Sequence, residues 1–129
     1  MRQWNKIAEL GFFYRRNFNY DLTPYFTKRG KLLDIGSGAG HPDLKKYGEV
    51  ISCDISIEML KKNMQKSVNC DASNLPFKTK SFDYVTSFAT FHHLPQKEGK
   101  KFLSEIHRVL RSGGIAYLTT ASNNLITGN

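Results

Sequence analysis

The stretch "LLDIGSGAG" (residues 32–40) ends an apolar run on Asp34 and then sets Gly36, Gly38 and Gly40 at every second position. A short apolar run broken by glycines reads as a buried strand entering a tight turn. Glycines there either permit the bend or let a ligand come close to the main chain. Outward from this point, short apolar runs alternate with helical stretches. Residues 31–35 ("KLLDI"), 49–53 ("EVISC"), 67–70 ("SVNC"), 82–88 ("FDYVTSF") and 115–120 ("IAYLTT") read as strands. "PDLKKY" (42–47) reads as a short helix and residues 56–64 as a helix capped by Ser56. Residues 96–110 form the clearest helix, with Phe102, Leu103, Ile106, Val109 and Leu110 on one face and Gly113 and Gly114 closing it. Thr23 and Pro24 predict the start of another short helix, ended by Gly30, and residues 3–16 carry an imperfect helical stripe. No helix is expected in "ASNLPFKTK" (72–80). Strands separated by helices imply parallel βαβ units with right-handed crossovers, hence an α/β fold: a doubly wound sheet of about five parallel strands.

The chain has 129 residues, 40% of them hydrophobic, which suits one packed domain. The expected organisation is a lead-in over 1–30, a core over 31–120 and a tail over 121–129. No window approaches the run of about 18 apolar residues that a membrane span needs, and the N-terminus lacks the apolar core of a secretion signal. The expectation is a soluble, cytoplasmic protein. Cys53 and Cys70 lack a metal-ligand spacing, so no metal site is implied, and in a reducing compartment they are expected as free thiols. The net charge of +8 favours a polyanionic partner, although excess lysine also serves solubility.

Two phosphate chemistries compete for the glycine turn, and both lose ground. A dinucleotide turn has the spacing G-x-G-x-x-G, and a P-loop ends in Gly-Lys-Ser/Thr, whereas here D-x-G-x-G-x-G runs into His41 and Pro42. Asp34 would repel a phosphate and suits a ligand bearing an ammonium or sulfonium group. Asp54, ending the second strand in "ISCDIS", is placed to accept both hydroxyls of a ribose or to cap a turn. Asp71 in "NCDASNLPF" is placed to accept from an adenine amino group or to form an Asx turn.

These segments, with "FDYVTSFATFHHL" and "EIHRVLRSGGIAYLTT", resemble the class I S-adenosylmethionine-dependent methyltransferases, whose fold is Rossmann-like. The likeness covers roughly residues 31–120. It implies S-adenosyl-L-methionine lying across the first strands. Gly36, Ser37, Gly38 and Gly40 would receive the methionine portion, and Asp34 its amino group. Asp54 with Ile55 would take the ribose side, and Asp71 with Ala72 the adenine. Ser87 and Phe88 would border the sulfonium and the incoming substrate.

Within that superfamily, "CDASNLPF", "FHHLP" and "HRVLRSGG" are similar to the tRNA methyltransferases that esterify a carboxymethyl group on the wobble uridine. Quinone and sterol methyltransferases share much of this run, so a small-molecule acceptor stays open, as does a non-catalytic, cofactor-binding partner subunit. The tRNA enzymes work with a small zinc-binding activator protein. Ser37 stands where that family usually has Cys, and "TTASNNLITGN" replaces its aromatic segment after the fifth strand. The full class I sheet has two further strands that this sequence lacks, so the expectation is an open sheet edge covered by a partner or by a second copy. Methyl transfer from a sulfonium is an in-line displacement in which the protein aligns the reactants and excludes water. A carboxylate acceptor needs no base; for a hydroxyl or carbon acceptor, His92 or His93 is the candidate base. Phe91 is placed to stack a base. Arg15 and Arg16, with Lys28, Arg29 and Lys31, are expected to meet phosphates near the mouth of the site.

Overall fold

The structure, a computed structural model, describes residues 21–88 and 96–119. Strand β1 (Gly30–Ile35) is followed by a 3-10 helix (Pro42–Tyr47), β2 (Gly48–Asp54), α1 (Ile57–Leu60), β3 (Lys66–Asn69), β4 (Phe82–Phe88), α2 (Gln96–Val109) and β5 (Leu110–Thr119). All five strands are parallel and lie in the order β3-β2-β1-β4-β5. The order reverses direction after β3, so the crevice between β1 and β4 is a switch point, where open α/β sheets place their ligands. The sheet has the Rossmann-like form that the strand pattern implied.

The period of two along β1 divides the core. Leu33 and Ile35 face one side, where they join Ile51, Val85 and the apolar face of α2: Phe102, Leu103, Ile106 and Val109. Leu32 faces the other side with Val50, Tyr84, Tyr117, Leu22, Phe26, Leu44 and Tyr47, and the rings of Phe26 and Tyr84 stack at 4.1 Å. By the same alternation Asp34 lies on Leu32's face, beside Thr86 of β4, its partner in the ladder. No helix among the described residues is long and apolar enough to cross a membrane.

Several boundaries differ from the sequence reading. Thr23 does not cap a helix: residues 23–25 form a single turn, in which the Thr23 N–H donates to the Asp21 carboxylate, and Gly30 opens β1. The helix expected over 56–64 closes after one turn at Leu60, although Ser56 does cap it by accepting from the Met59 N–H. Gly113 and Gly114 do not end α2, because the chain passes directly from Val109 into β5. Phe82 pairs with Leu110 and Tyr84 with Ile115, so the two glycines belong to the extra residues of a bulge.

The cysteines are also corrected. Cys53 and Cys70 are joined as a disulfide, with their Cα atoms 5.7 Å apart, rather than standing as free thiols. The Cys70 N–H donates to the Asp54 carbonyl, which draws the residue after β3 against the end of β2. That proximity is a product of strand register and is invisible in the spacing of the two residues.

The tightest point of the sheet is the start of β1 against β2. At Gly48 (φ +145°) a Cβ would stand 1.8 Å from the Gly30 carbonyl oxygen. Gly48→Ala therefore combines backbone strain with a clash, and should destabilise the fold by about 3 kcal/mol in urea unfolding. A loss below about 0.5 kcal/mol would show that the strands separate freely here.

Candidate functional site

The carboxyl ends of β1, β2 and β4 converge on the glycine turn. Gly36, Gly38 and Gly40 have φ of 70°, 55° and 103°, so the turn has the left-handed conformation that glycine adopts without strain. The Gly36 and Ser37 N–H groups donate to the Cys53 carbonyl, fastening the turn to β2. The space beside two of the glycines is filled by the protein itself. A Cβ on Gly38 would lie 3.2 Å from Met59 Cε, and one on Gly40 would lie 2.8 Å from Asn63 Oδ1. Asn63 donates to the Gly38 carbonyl, and Gln65 accepts from the His41 N–H. Nothing in the sequence pattern of residues 57–65 marks this second layer over the turn.

Asp34 is fully buried, and both of its oxygens are engaged. Oδ1 accepts from the Thr86 hydroxyl at 2.8 Å, and Oδ2 meets His41 Nδ1 at 2.6 Å. Burial pushes the Asp34 carboxyl above its ordinary value, against the His41 and Thr86 hydrogen bonds that pull it down. The bond to Asp34 raises the His41 imidazole above its ordinary 6.5, a direction that its own partial burial opposes. The sequence reading missed His41. Its signal was the alternation that puts Asp34 and Thr86 on one face, with Pro42 starting a helical turn just after the glycines.

The His41 ring packs edge-on to Phe88 at 4.9 Å. Both line a cavity of about 230 Å³ with Gly40, Leu44, Lys46 and Tyr47. Ser87, next to Phe88, is buried, and its hydroxyl finds no hydrogen-bond partner among the described residues.

Asp54 joins the turn to α1. Its Oδ2 accepts from the Gly38 N–H and its Oδ1 from the Ser56 N–H, both at 2.8 Å. Each oxygen keeps a further lone pair. Ile55 beside it is 75% exposed, an unusual position for isoleucine. Asp71 forms the Asx turn, accepting from the Ser73 N–H and hydroxyl, which hold its carboxyl below the ordinary 3.8. Asp71, Ser73 and Asn74 face Lys101, Ser104 and Glu105 of α2 across a groove of about 570 Å³.

The segment beyond Asp71 is held by an ion pair that the sequence reading also missed. Arg108 donates to the Leu75 and Phe77 carbonyls and pairs with Glu105, which accepts from the Leu75 N–H. The Arg108 bond lowers the Glu105 carboxyl from its ordinary 4.5. The i,i+3 spacing in "EIHR" was the visible sign of that pair.

Of the expected site residues, Asp34, Gly36, Ser37, Gly38, Gly40, Asp54, Ile55, Ser87 and Phe88 gather at one end of the sheet, with Asp71 and Ala72 after neighbouring β3. His92, His93, Phe91, Arg15 and Arg16 lie outside the described residues. Lys28, Arg29 and Lys31 do not border this mouth. They flank the start of β1, at the opposite end of the sheet from the glycine turn.

Residues 33–118 match the model of a methyltransferase domain. The chain belongs to the methyltransferase-domain family. It is 38% identical over 110 residues to an uncharacterized protein of Methanocaldococcus jannaschii, an alignment covering 76% of this chain and 43% of that protein. It is 34% identical over 93 residues to the tRNA (carboxymethyluridine(34)-5-O)-methyltransferase of Arabidopsis thaliana (68% and 23%). Against a demethylmenaquinone methyltransferase of Staphylococcus epidermidis it is 40% identical over 102 residues (68% and 42%). The chain thus spans less than half the length of these relatives.

Among solved structures, a Pyrococcus horikoshii protein superposes with a TM-score of 0.67 at 33% identity, covering 72% of this chain and 50% of that one. A complex between the Haloferax volcanii Trm112 methyltransferase activator and a methyltransferase gives 0.65 at 25% identity (70% and 45%). The Haemonchus contortus phosphoethanolamine N-methyltransferase 1, solved with phosphoethanolamine and S-adenosylhomocysteine, gives 0.60 at 26% (65% and 20%).

The Asp34–His41 pair makes a pH-dependent contribution. Because the folded value of His41 lies above 6.5, the stability it adds is fully present below that value and is lost as pH rises through the folded one. An NMR titration of the His41 ring should give a midpoint above 6.5, and Asp34→Asn should bring it down to 6.5 or lower. A midpoint that Asp34→Asn leaves in place would mean the pair does not form in solution.

Proposed function

We propose that this chain holds an S-adenosylmethionine site at the carboxyl ends of β1, β2 and β4 and transfers a methyl group to tRNA, at a carboxymethyl group on the wobble uridine. The observation that carries the cofactor assignment is Asp54. It ends β2, is fixed by two backbone N–H groups, and retains acceptor capacity for the paired hydroxyls of a ribose. Exposed Ile55 offers an apolar surface beside it, and the Ser87 hydroxyl, without a hydrogen-bond partner among the described residues, adds a polar group at the end of β4. At the ribose side the free acceptor capacity of Asp54 supports this reading, and at the adenine side the second oxygen of Asp71 is the acceptor offered. At the amino-acid side, an ammonium group would share Asp34 with His41, so Asp34 serves the cofactor through or in place of that imidazole.

The bound cofactor supplies a methyl group already activated on a sulfonium. The chain's own residues then align and enclose. The glycine turn shapes the backbone wall, Asp54 orients the ribose, and Phe88 with His41 bounds the cavity. A carboxylate acceptor is ionised at neutral pH and asks for no base. The tRNA assignment is supported by the Arabidopsis thaliana relative and by the net charge of +8. A Trm112-type activator as partner is supported by the Haloferax volcanii complex. The identity to the demethylmenaquinone methyltransferase favours a quinone-type acceptor as the second reading.

Calorimetry should find S-adenosylmethionine binding in the micromolar range, about −8 kcal/mol. Asp54→Ala should weaken it about ten-fold or more, by loss of the hydroxyl acceptor. No heat of binding with the folded wild-type chain would overturn the cofactor assignment. Tritiated methyl groups should pass to bulk tRNA, by the chain alone or with the activator; transfer to a quinone instead would favour the second reading.

A further inference from the structure

Basic side chains gather at the amino ends of the strands, away from the acidic residues near the carboxyl ends of β1 and β2. Asp34, Asp54 and Asp71 stand at or just beyond the carboxyl ends of β1, β2 and β3. The amino ends are cationic: Lys28 and Arg29 precede β1, Lys78 and Lys80 precede β4, and Arg111 lies near the start of β5. All five are exposed. Because every strand is parallel, these residues from three separate segments meet at one end. Contacts link these segments to one another. Arg29 reaches the Lys46 carbonyl at 3.5 Å, the Lys80 N–H donates to the Arg108 carbonyl, and Arg111 pairs with Asp83, which also accepts from the Lys31 N–H. Among the described residues, Asp83, partly neutralised by Arg111, and Glu49 are carboxylates at this end. The left-handed backbone of Lys80 (φ 57°) turns the chain just before β4 begins at Phe82.

We propose that this cationic face binds the phosphate backbone of the RNA substrate, away from the site of methyl transfer. It rests on the reading that the acceptor is an RNA. Gly30 and Gly36 are about 20 Å apart at the rise of a β-strand, so a ligand that touches both ends must be large. A folded RNA presents phosphates over that distance, whereas a quinone carries no anionic group to meet the cations. Cations spread over separate segments suit a phosphate backbone read by charge rather than by sequence. The face therefore contributes affinity and orientation, while the carboxylate-bearing end meets the cofactor.

The test measures two affinities on the same 129-residue proteins: labelled bulk tRNA by fluorescence anisotropy, and S-adenosylmethionine by calorimetry. Wild type should bind tRNA, with affinity falling steeply between about 50 and about 200 mM salt. Lys28→Glu/Arg29→Glu and Lys78→Glu/Lys80→Glu should each lower tRNA affinity about ten-fold or more and leave cofactor affinity within about two-fold. The charge-matched control Lys100→Glu/Lys101→Glu, on α2, should change tRNA affinity much less. Equal losses in the control would show that net charge alone is sensed and would overturn the proposal. So would unchanged tRNA binding in both amino-end variants, or capture of the wild type by phosphatidylserine vesicles but not by tRNA. tRNA bound at this face without any cofactor binding would remove the methyltransferase reading and leave the surface standing. Cofactor binding without tRNA binding would do the reverse.

Discussion

A carboxylate without solvent contact stands at the switch point of the sheet, and the surrounding geometry depends on how it is satisfied. Asp34 bonds sideways to Thr86 of the neighbouring strand and forward to His41 beyond the glycine turn. The first bond ties β1 to β4 through their side chains, and the second pulls the start of the 3-10 helix over the strand end. Removing a charged group from water is costly unless each lone pair finds a donor, so the partners of Asp34 are held in place by that demand. Asp54 plays the matching part from β2, bonding the Gly38 and Ser56 N–H groups at once. Two acidic residues on adjacent strands thus shape a turn that three glycines merely permit.

That arrangement separates what can be read in the sequence from what cannot. Strand β4 has the predicted bounds, 82–88, because its buried run has little polar interruption, and α2 differs by one residue because its apolar face repeats with helical period. The positions of Asp34, Asp54 and the glycines at strand ends followed from the same pattern. Contacts made across the sheet did not. Cys53 meets Cys70 through the β2–β3 register, and Arg108 meets Leu75 and Phe77 across about thirty residues of chain. His41 was passed over because its role exists only once Asp34 is buried beneath it. The lysines before β1 were assigned to the wrong end of the sheet because charge alone carries no direction, whereas parallel strands do.

The polarity of the sheet gives the family membership a physical sense. Carboxylates at one end suit a ligand with hydroxyl, amino and sulfonium groups, and cations at the other suit phosphates. The narrow base at Gly30 and Gly48, where backbone meets backbone, is a packing constraint, while the turn at Gly36 to Gly40 is layered with polar side chains from residues 63–65.

The most direct measurement is an amide NMR titration with S-adenosylhomocysteine. The account predicts shifts concentrated at residues 36–40, 54–56 and 71–73, with residues 28–31 and 78–80 unmoved. An absence of shifts, or shifts gathered at the amino ends of the strands, would contradict a cofactor site at the carboxyl end of the sheet.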